Sequence, residues 1–254
     1  MTVRSSAEAP GSRPPVGASQ PDDPWVCACT VRIVRIVDVA ETPAGLSEAE
    51  RARAAGYLNA DARHRFVAGA LMVRQVAGLA LGIPARDVEV DRTCDRCGRQ
   101  HGRPRVPRSG LHLSVSHCDD LLLVAMTEEA PVGVDVENVR SRTWVDLGSL
   151  IAQVCDPAEI PHVHSPRDLL VCWTRKEAAL KASGHGLRVP PADVVVTPPD
   201  RAAGLLEWRG HPRSDSQMAD LDLGPDHVAA LAVLTARPIA VTLVADEAVA
   251  GSRS

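Results

Sequence analysis

Apolar positions spaced three and four apart recur in two long stretches of this chain, and short runs of Val, Leu and Ile stand between and after them. In residues 61–81 (DARHRFVAGALMVRQVAGLAL), Phe66, Val67, Ala70, Leu71, Val73 and Leu81 keep close to helical spacing, and Gly82 and Pro84 stop the run. A long, largely buried helix is predicted there. A second is predicted from Ser165 to Ser183-Gly184, because Ser165 and Asp168 form a capping-box-like start with Pro166 at the first helical position. Leu169, Trp173 and Leu180 share one stripe of that helix, and Glu177 lies on the same stripe. A shorter helix is predicted over residues 46–57, where Ser47 precedes Glu48 and Glu50.

The β-branched run from Val31 to Val39 predicts a strand. Leu111 to Ser116, Leu121 to Met126 and Val132 to Glu137, joined by the turn signals CDD and EEAP, predict an antiparallel meander. Residues 193–197, 205–209, 228–235 and 239–244 predict further short strands, while CDRCGRQHGRPRV reads as a loop. Without strict βαβα alternation, the order implies an α+β fold. Two pseudo-symmetric halves are expected, residues 25–130 and 131–250, each a long helix packed on a small, mostly antiparallel sheet. Residues 1–24, rich in Pro, Ser, Gly and Ala, and the tail 251–254 are expected to be disordered.

Composition narrows the chemistry. The 254 residues are 45% hydrophobic but only 2% aromatic, so the core must be aliphatic. A net charge of -4 offers no global basic field for nucleic acid or an anionic membrane, and any anion must be held by local positive charge. No stretch approaches 18 consecutive apolar residues, and a signal-peptide core is missing from the first 24, which leads to the expectation of a cytoplasmic protein. Seven cysteines, an odd number, read as reduced thiols. Arginine dominates the cations. The only lysines are Lys176 and Lys181.

In VGVDVENV, a period of two puts Val132, Val134 and Val136 on one face and Gly133, Asp135 and Glu137 on the other. Two carboxylates roughly 7 Å apart repel unless a cation lies between them, although a solvated strand face carries the same pattern. Glu177 on an inward stripe needs a partner or a metal, and Lys181 follows it at i+4, where a surface ion pair is the competing reading. Together these residues offer metal ligands, a base and a phosphate clamp. Arg63 and Arg65, near the start of the first long helix, are badly placed for its dipole and suggest an anion nearby.

GVDVE at 133–137 and WTRKEAALKASGHGL at 173–187 resemble the paired signatures of the 4′-phosphopantetheinyl transferase superfamily. RHRFVAG near residue 65, HGRPRV at 101–106 and SVSHCDD at 114–120 are similar to its larger, surfactin-synthetase-activator branch. Five short motifs in order across residues 46–190 are specific where each alone is weak. The resemblance implies transfer of the phosphopantetheine arm of coenzyme A to a serine of an apo acyl or peptidyl carrier protein, releasing 3′,5′-ADP. By position it implies Mg²⁺ on Asp135, Glu137 and Glu177, and Glu177 or Glu159 as the base. Lys181 would lie on the phosphate under attack, with Ser116, His117, Arg65 and Arg103 around the nucleotide. A monomer is expected by the same analogy. Two positions depart from the pattern: Ala70 and Met72 replace a longer run, leaving one basic contact missing, and Val136 adds no metal oxygen.

Cys94, Cys97 and His101 in CDRCGRQH invite a zinc reading, but a closed structural site needs four ligands and no second C-x-x-C follows. Two other functions compete. One is a zinc-stabilised nucleic-acid-binding module using the arginines between Arg86 and Arg108, and the other is a metal-dependent phosphohydrolase.

Overall fold

The computed structural model describes residues 25–40, 45–140, 147–211 and 215–245. The terminal segments expected to be disordered lie outside them. Strands β1 (Cys27–Arg35), β4 (His112–His117), β5 (Leu121–Thr127) and β11 (Ile239–Ala245) form one sheet in the order β11-β1-β5-β4. Within it β5 is antiparallel to β1 and β4, and β11 runs parallel to β1. A second sheet, antiparallel throughout, is β6 (Val132–Asn138), β10 (His227–Val233) and β9 (Gln217–Asp220) in the order β6-β10-β9.

Two hairpins complete the strands, β2 (Asp91–Thr93) with β3 (Gln100–Arg105) and β7 (Val194–Val196) with β8 (Leu205–Trp208). The helices are α1 (Glu48–Ala55), α2 (Ala60–Leu81), α3 (Leu147–Val154) and α4 (Pro166–Ser183). The sheets stack face to face over an aliphatic core that includes Val31, Ile33, Leu123, Val132, Val134, Val136 and Leu231. On the outer face of the first sheet, Val34, Leu122 and Val124 pack on Ala68, Met72, Val73 and Val76 of α2. On the outer face of the second, Ala230 and Ala232 pack on Leu169, Cys172, Ala179 and Leu180 of α4. The result is an α+β arrangement of four layers, helix, sheet, sheet, helix.

The helix boundaries follow local chemistry. Ser47 and Glu50 close a reciprocal capping box at α1, and Asn59 caps α2 through the Ala62 N–H. Ser165 caps α4, with Pro166 in its first turn. Gly82 and Gly184 end α2 and α4 at φ 66° and 76°, a left-handed conformation that favours glycine.

Three expectations are corrected. Val132–Asn138 does not continue the meander: β6 leaves β5 and pairs with β10, whose aliphatic run from Val228 to Val233 offers its edge to a strand buried over most of its length. The first strand starts at Cys27 and gives way to a 3-10 turn over Ile36–Asp38. The loop CDRCGRQHGRPRV contains β3.

Gly133 sets the distance between β6 and α4. A Cβ built there would stand 2.0 Å from the Ala178 carbonyl oxygen and 2.5 Å from the Ala182 nitrogen, both backbone atoms. Gly133→Ala is expected to cost about 3 kcal/mol, since backbone cannot yield as a flexible side chain can. Urea denaturation checks this, and a loss below about 1 kcal/mol would show that the helix can move away freely.

Candidate active site

The alternation of β6 sends its three valines into the inter-sheet core and turns Gly133, Asp135 and Glu137 toward α4. Opposite them, Trp173, Glu177 and Lys181 recur every four residues and so lie in one row along the helix. Trp173 Nε1 donates to Glu137 Oε1 at 2.9 Å. Lys181 reaches across to β6, with Nζ 2.7 Å from Asp135 Oδ1, 3.0 Å from Ser116 Oγ and 3.1 Å from the Val134 carbonyl oxygen.

Where β4 runs beside β6, hydroxyls replace a strand partner. Ser114 Oγ accepts from the Val134 N–H at 3.1 Å and Ser116 Oγ from the Val136 N–H at 3.4 Å, while Ser116 donates to Asp135 at 2.7 Å. The serines of SVSHCDD thus satisfy an edge that would otherwise carry unpaired amides. Further along that motif, Asp120 accepts from Asn138 at 3.2 Å and lies 3.0 Å from His227 Nε2, tying the β4–β5 turn to the second sheet.

Glu177 is only 8% exposed. Burial pushes its carboxyl above the usual range, helped by Asp135 and Glu137 and opposed by Lys181. Glu177 Oε1 and Asp135 Oδ2 are both buried without a hydrogen-bond partner. Crowded acids with unpartnered oxygens form a donor set suited to a hard divalent cation.

Glu159 has a different environment. It is buried, accepts from Lys176 Nζ at 2.5 Å and the Asp156 N–H at 2.7 Å, and takes the Val196 N–H on its other oxygen at 2.8 Å. Both lysines of the chain therefore meet carboxylates inside the fold, one on each side of α4. Beside them Arg175, fully buried, forks onto Asp220 and three carbonyl oxygens of residues 197–201. That span is anchored to the helix as a result.

Over this row opens a cleft with two lobes. One, about 560 Å³, is lined by Arg103, Arg105, Arg188, His101, His185 and Lys181 among others; the second, about 360 Å³, holds Arg53, Arg65 and His117 with Tyr57 and Phe66. Arg92 and Val115 belong to both walls. Burial lowers the basicity of Arg92 and Arg103, with neighbouring arginines adding to the effect, and Arg92 Nε is buried without a partner. Guanidinium groups stay charged, so crowding them creates a demand for anions. His117 opens onto the cleft, yet the surrounding protein lowers its basicity, as do Arg65 and Lys181.

The structure therefore brings Asp135, Glu137, Glu177, Lys181 and Ser116 together, sets Arg65, Arg103 and His117 around the cleft above, and places Glu159 behind α4. Arg63 is exposed at the start of α2. Sequence reasoning missed Arg53, Arg92 and Arg188 as cleft cations and Trp173 as the partner of Glu137. Only the excess of arginine hinted at the first three, and Trp173 passed for an apolar stripe residue.

Residues 131–232 match the family described as the 4′-phosphopantetheinyl transferase superfamily. The 4′-phosphopantetheinyl transferase HetI of Nostoc sp. is 31% identical over 179 residues, which are 66% of this chain and 71% of that protein. The 4′-phosphopantetheinyl transferase of Bacillus subtilis is 21% identical over 58% of this chain and 64% of its own length. The 4′-phosphopantetheinyl transferase gsp of Aneurinibacillus migulanus is 24% identical over 53% and 54% respectively. Of these last two the chain spans less than two thirds.

The raised Glu177 carboxyl gives a signed prediction. Between the ordinary carboxylate value near 4.5 and the raised native one, the folded protein keeps a proton that the unfolded chain has released, so stability falls as pH rises through that window. Without divalent cation, Glu177→Gln is expected to remove this decline and to melt above the parent at neutral pH. Melting curves across pH check it, and a variant that melts below the parent at neutral pH would contradict it. The family match over residues 131–232 spans the acid row and its lysine, and the chain belongs to the 4′-phosphopantetheinyl transferase superfamily.

Proposed function

We propose that this chain transfers the 4′-phosphopantetheine group of coenzyme A to a serine of an apo acyl or peptidyl carrier protein, releasing 3′,5′-ADP. The observation that carries the proposal is the stacking of a cation-lined cleft on a buried acid row, with Lys181 shared by both. Coenzyme A has this anion pattern, a pyrophosphate at one site and a 3′-phosphate at another.

In this reading Arg103 and Arg65 take the nucleotide phosphates, and His117 lies beside the second lobe. Mg²⁺ held by Asp135, Glu137 and Glu177 would neutralise charge on the pyrophosphate. Lys181 exchanges one of its three present contacts for an oxygen of the phosphoryl group under attack. Glu177 removes the proton of the carrier serine as its Oγ bonds to phosphorus, and the bond from that phosphorus to 3′,5′-ADP breaks. Glu159 has both oxygens committed to Lys176 and backbone amides, which supports a structural role. Ser116 acts as a positioning residue, holding Asp135 and Lys181. Alignment and charge neutralisation are what phosphoryl transfer requires of a protein.

The competing functions fit less well. Nucleic-acid binding fits poorly with a net charge of -4 and with an aromatic content of 2%, which leaves few rings for base stacking. A phosphohydrolase would need water where a carrier serine is proposed.

Incubation with coenzyme A, Mg²⁺ and apo carrier proteins is expected to add one phosphopantetheine to the carrier, read by intact mass. No gain on any acyl or peptidyl carrier would overturn the proposal. Lys181→Ala and Glu177→Gln are each expected to lower kcat roughly 100-fold while remaining folded. Near-normal turnover in either would remove that residue from the chemical step.

A further inference from the structure

The β2–β3 hairpin forms one wall of the larger lobe and carries Arg92, Arg103 and Arg105, yet none of the apolar clusters takes a residue from 91–105. Pro104 is the single buried residue of its strands. An isolated two-stranded ribbon is marginal in water, and short segments without a core usually rely on a disulfide or a metal. This one lies beside β4, and its other ties among the described residues are polar. Arg105 pairs with Asp95 at 2.5 Å, and Gln100 donates to Thr93 at 2.8 Å, both near solvent.

At its tip the chain folds back tightly. The Cys94 N–H donates to the Arg99 carbonyl oxygen at 2.8 Å, and the Gly98 N–H to Cys94 at 2.9 Å. Gly98 adopts φ 69°, the left-handed turn that lets the chain reverse immediately after Cys97. This turn, with the strand return to His101, brings one ligand atom each of Cys94, Cys97 and His101 within 4.8 Å of one another. Cys97 Sγ and His101 Nε2 are 2.9 Å apart. Donors around tetrahedral zinc stand roughly 3.6–3.8 Å apart, so only side-chain adjustment separates this cluster from a coordination site.

We propose that Cys94, Cys97 and His101 bind one Zn²⁺ that braces the hairpin, with water from the cleft as the fourth ligand. Two thiolates and an imidazole select zinc, whereas the all-oxygen row on β6 and α4 suits a hard cation, so the two sites are chemically distinct. With both cysteines as thiolates and the histidine neutral, the complex with Zn²⁺ is neutral and adds no charge beside Arg96 and Arg105. The ion would fix the strands that present Arg92 and Arg103 to the cleft, without touching the acid row. A sulfur-rich site is therefore expected in a chain whose other metal ligands are carboxylates.

The test reads metal rather than transfer, so its outcome is independent of the proposed activity. The chain is produced without a histidine tag in zinc-supplemented medium, dialysed against metal-free buffer and analysed for zinc beside C94S/C97S. The expected result is about one zinc per parent chain and a tenfold or greater loss in the variant, with unchanged circular dichroism. Cobalt in place of zinc is expected to give thiolate charge-transfer bands that the variant lacks. Amides of residues 91–105 are expected to exchange with solvent about tenfold faster in the variant. Less than about a tenth of a zinc per parent chain, equal zinc in the variant, or a Cys94–Cys97 disulfide as the resting form would each overturn the zinc site. Unchanged exchange would overturn its bracing role.

Discussion

The contact between the backbone of α4 and Gly133 governs the rest of the site. With no side chain at 133, the helix comes down onto β6 until Ala178 and Ala182 nearly touch the strand. One residue before each of these alanines, the same close approach sets Glu177 beside Asp135 and lets Lys181 reach a carboxylate, a hydroxyl and a carbonyl at once. A larger residue at 133 would separate the two rows and return each charge to water. The acids are poised because they are crowded, and they are crowded because a glycine permits it.

That crowding has a cost that binding would offset. Buried oxygens on Asp135 and Glu177 lack partners, and the cleft above holds arginines whose charges repel one another. Both are unfavourable in the free protein and favourable once a cation and a polyanion enter, a common exchange of stability for function. Other buried charges serve the framework. Lys176 with Glu159 and Arg74 with Glu50 are buried ion pairs, and the buried Arg175 reaches the more exposed Asp220; they tie α4 to the turn at Glu159 and to β9, and α2 to α1.

Much of this was legible in the sequence wherever the signal was local. Ser47 with Glu50, Ser165 with Pro166, and Gly82 and Gly184 mark helix ends through groups only a few residues apart, and those helices formed as read. The alternation in VGVDVE assigned valines to the core and acids to the other face, and the position of Glu177 among Leu169 and Leu180 foretold its burial. What failed was nonlocal. Nothing near Val132 announces that its partner is β10, nearly a hundred residues on, and Gln217–Asp220 is a strand only because β10 offers an edge to it. The β2–β3 ribbon has no alternating apolar face to betray it. Arg53 has no local signal, and Arg92 lies in the arginine run weighed for nucleic acid; only the fold sets both around one cleft.

The central claim is that the acid row binds a cation together with a pyrophosphate. Mn²⁺ in place of Mg²⁺ makes this visible by electron paramagnetic resonance with phosphorus couplings. With coenzyme A present, Mn²⁺ is expected to bind the parent protein and couple to phosphorus, and Asp135→Asn is expected to lose both signals. Mn²⁺ that binds without phosphorus coupling, or that couples equally in Asp135→Asn, would contradict the account.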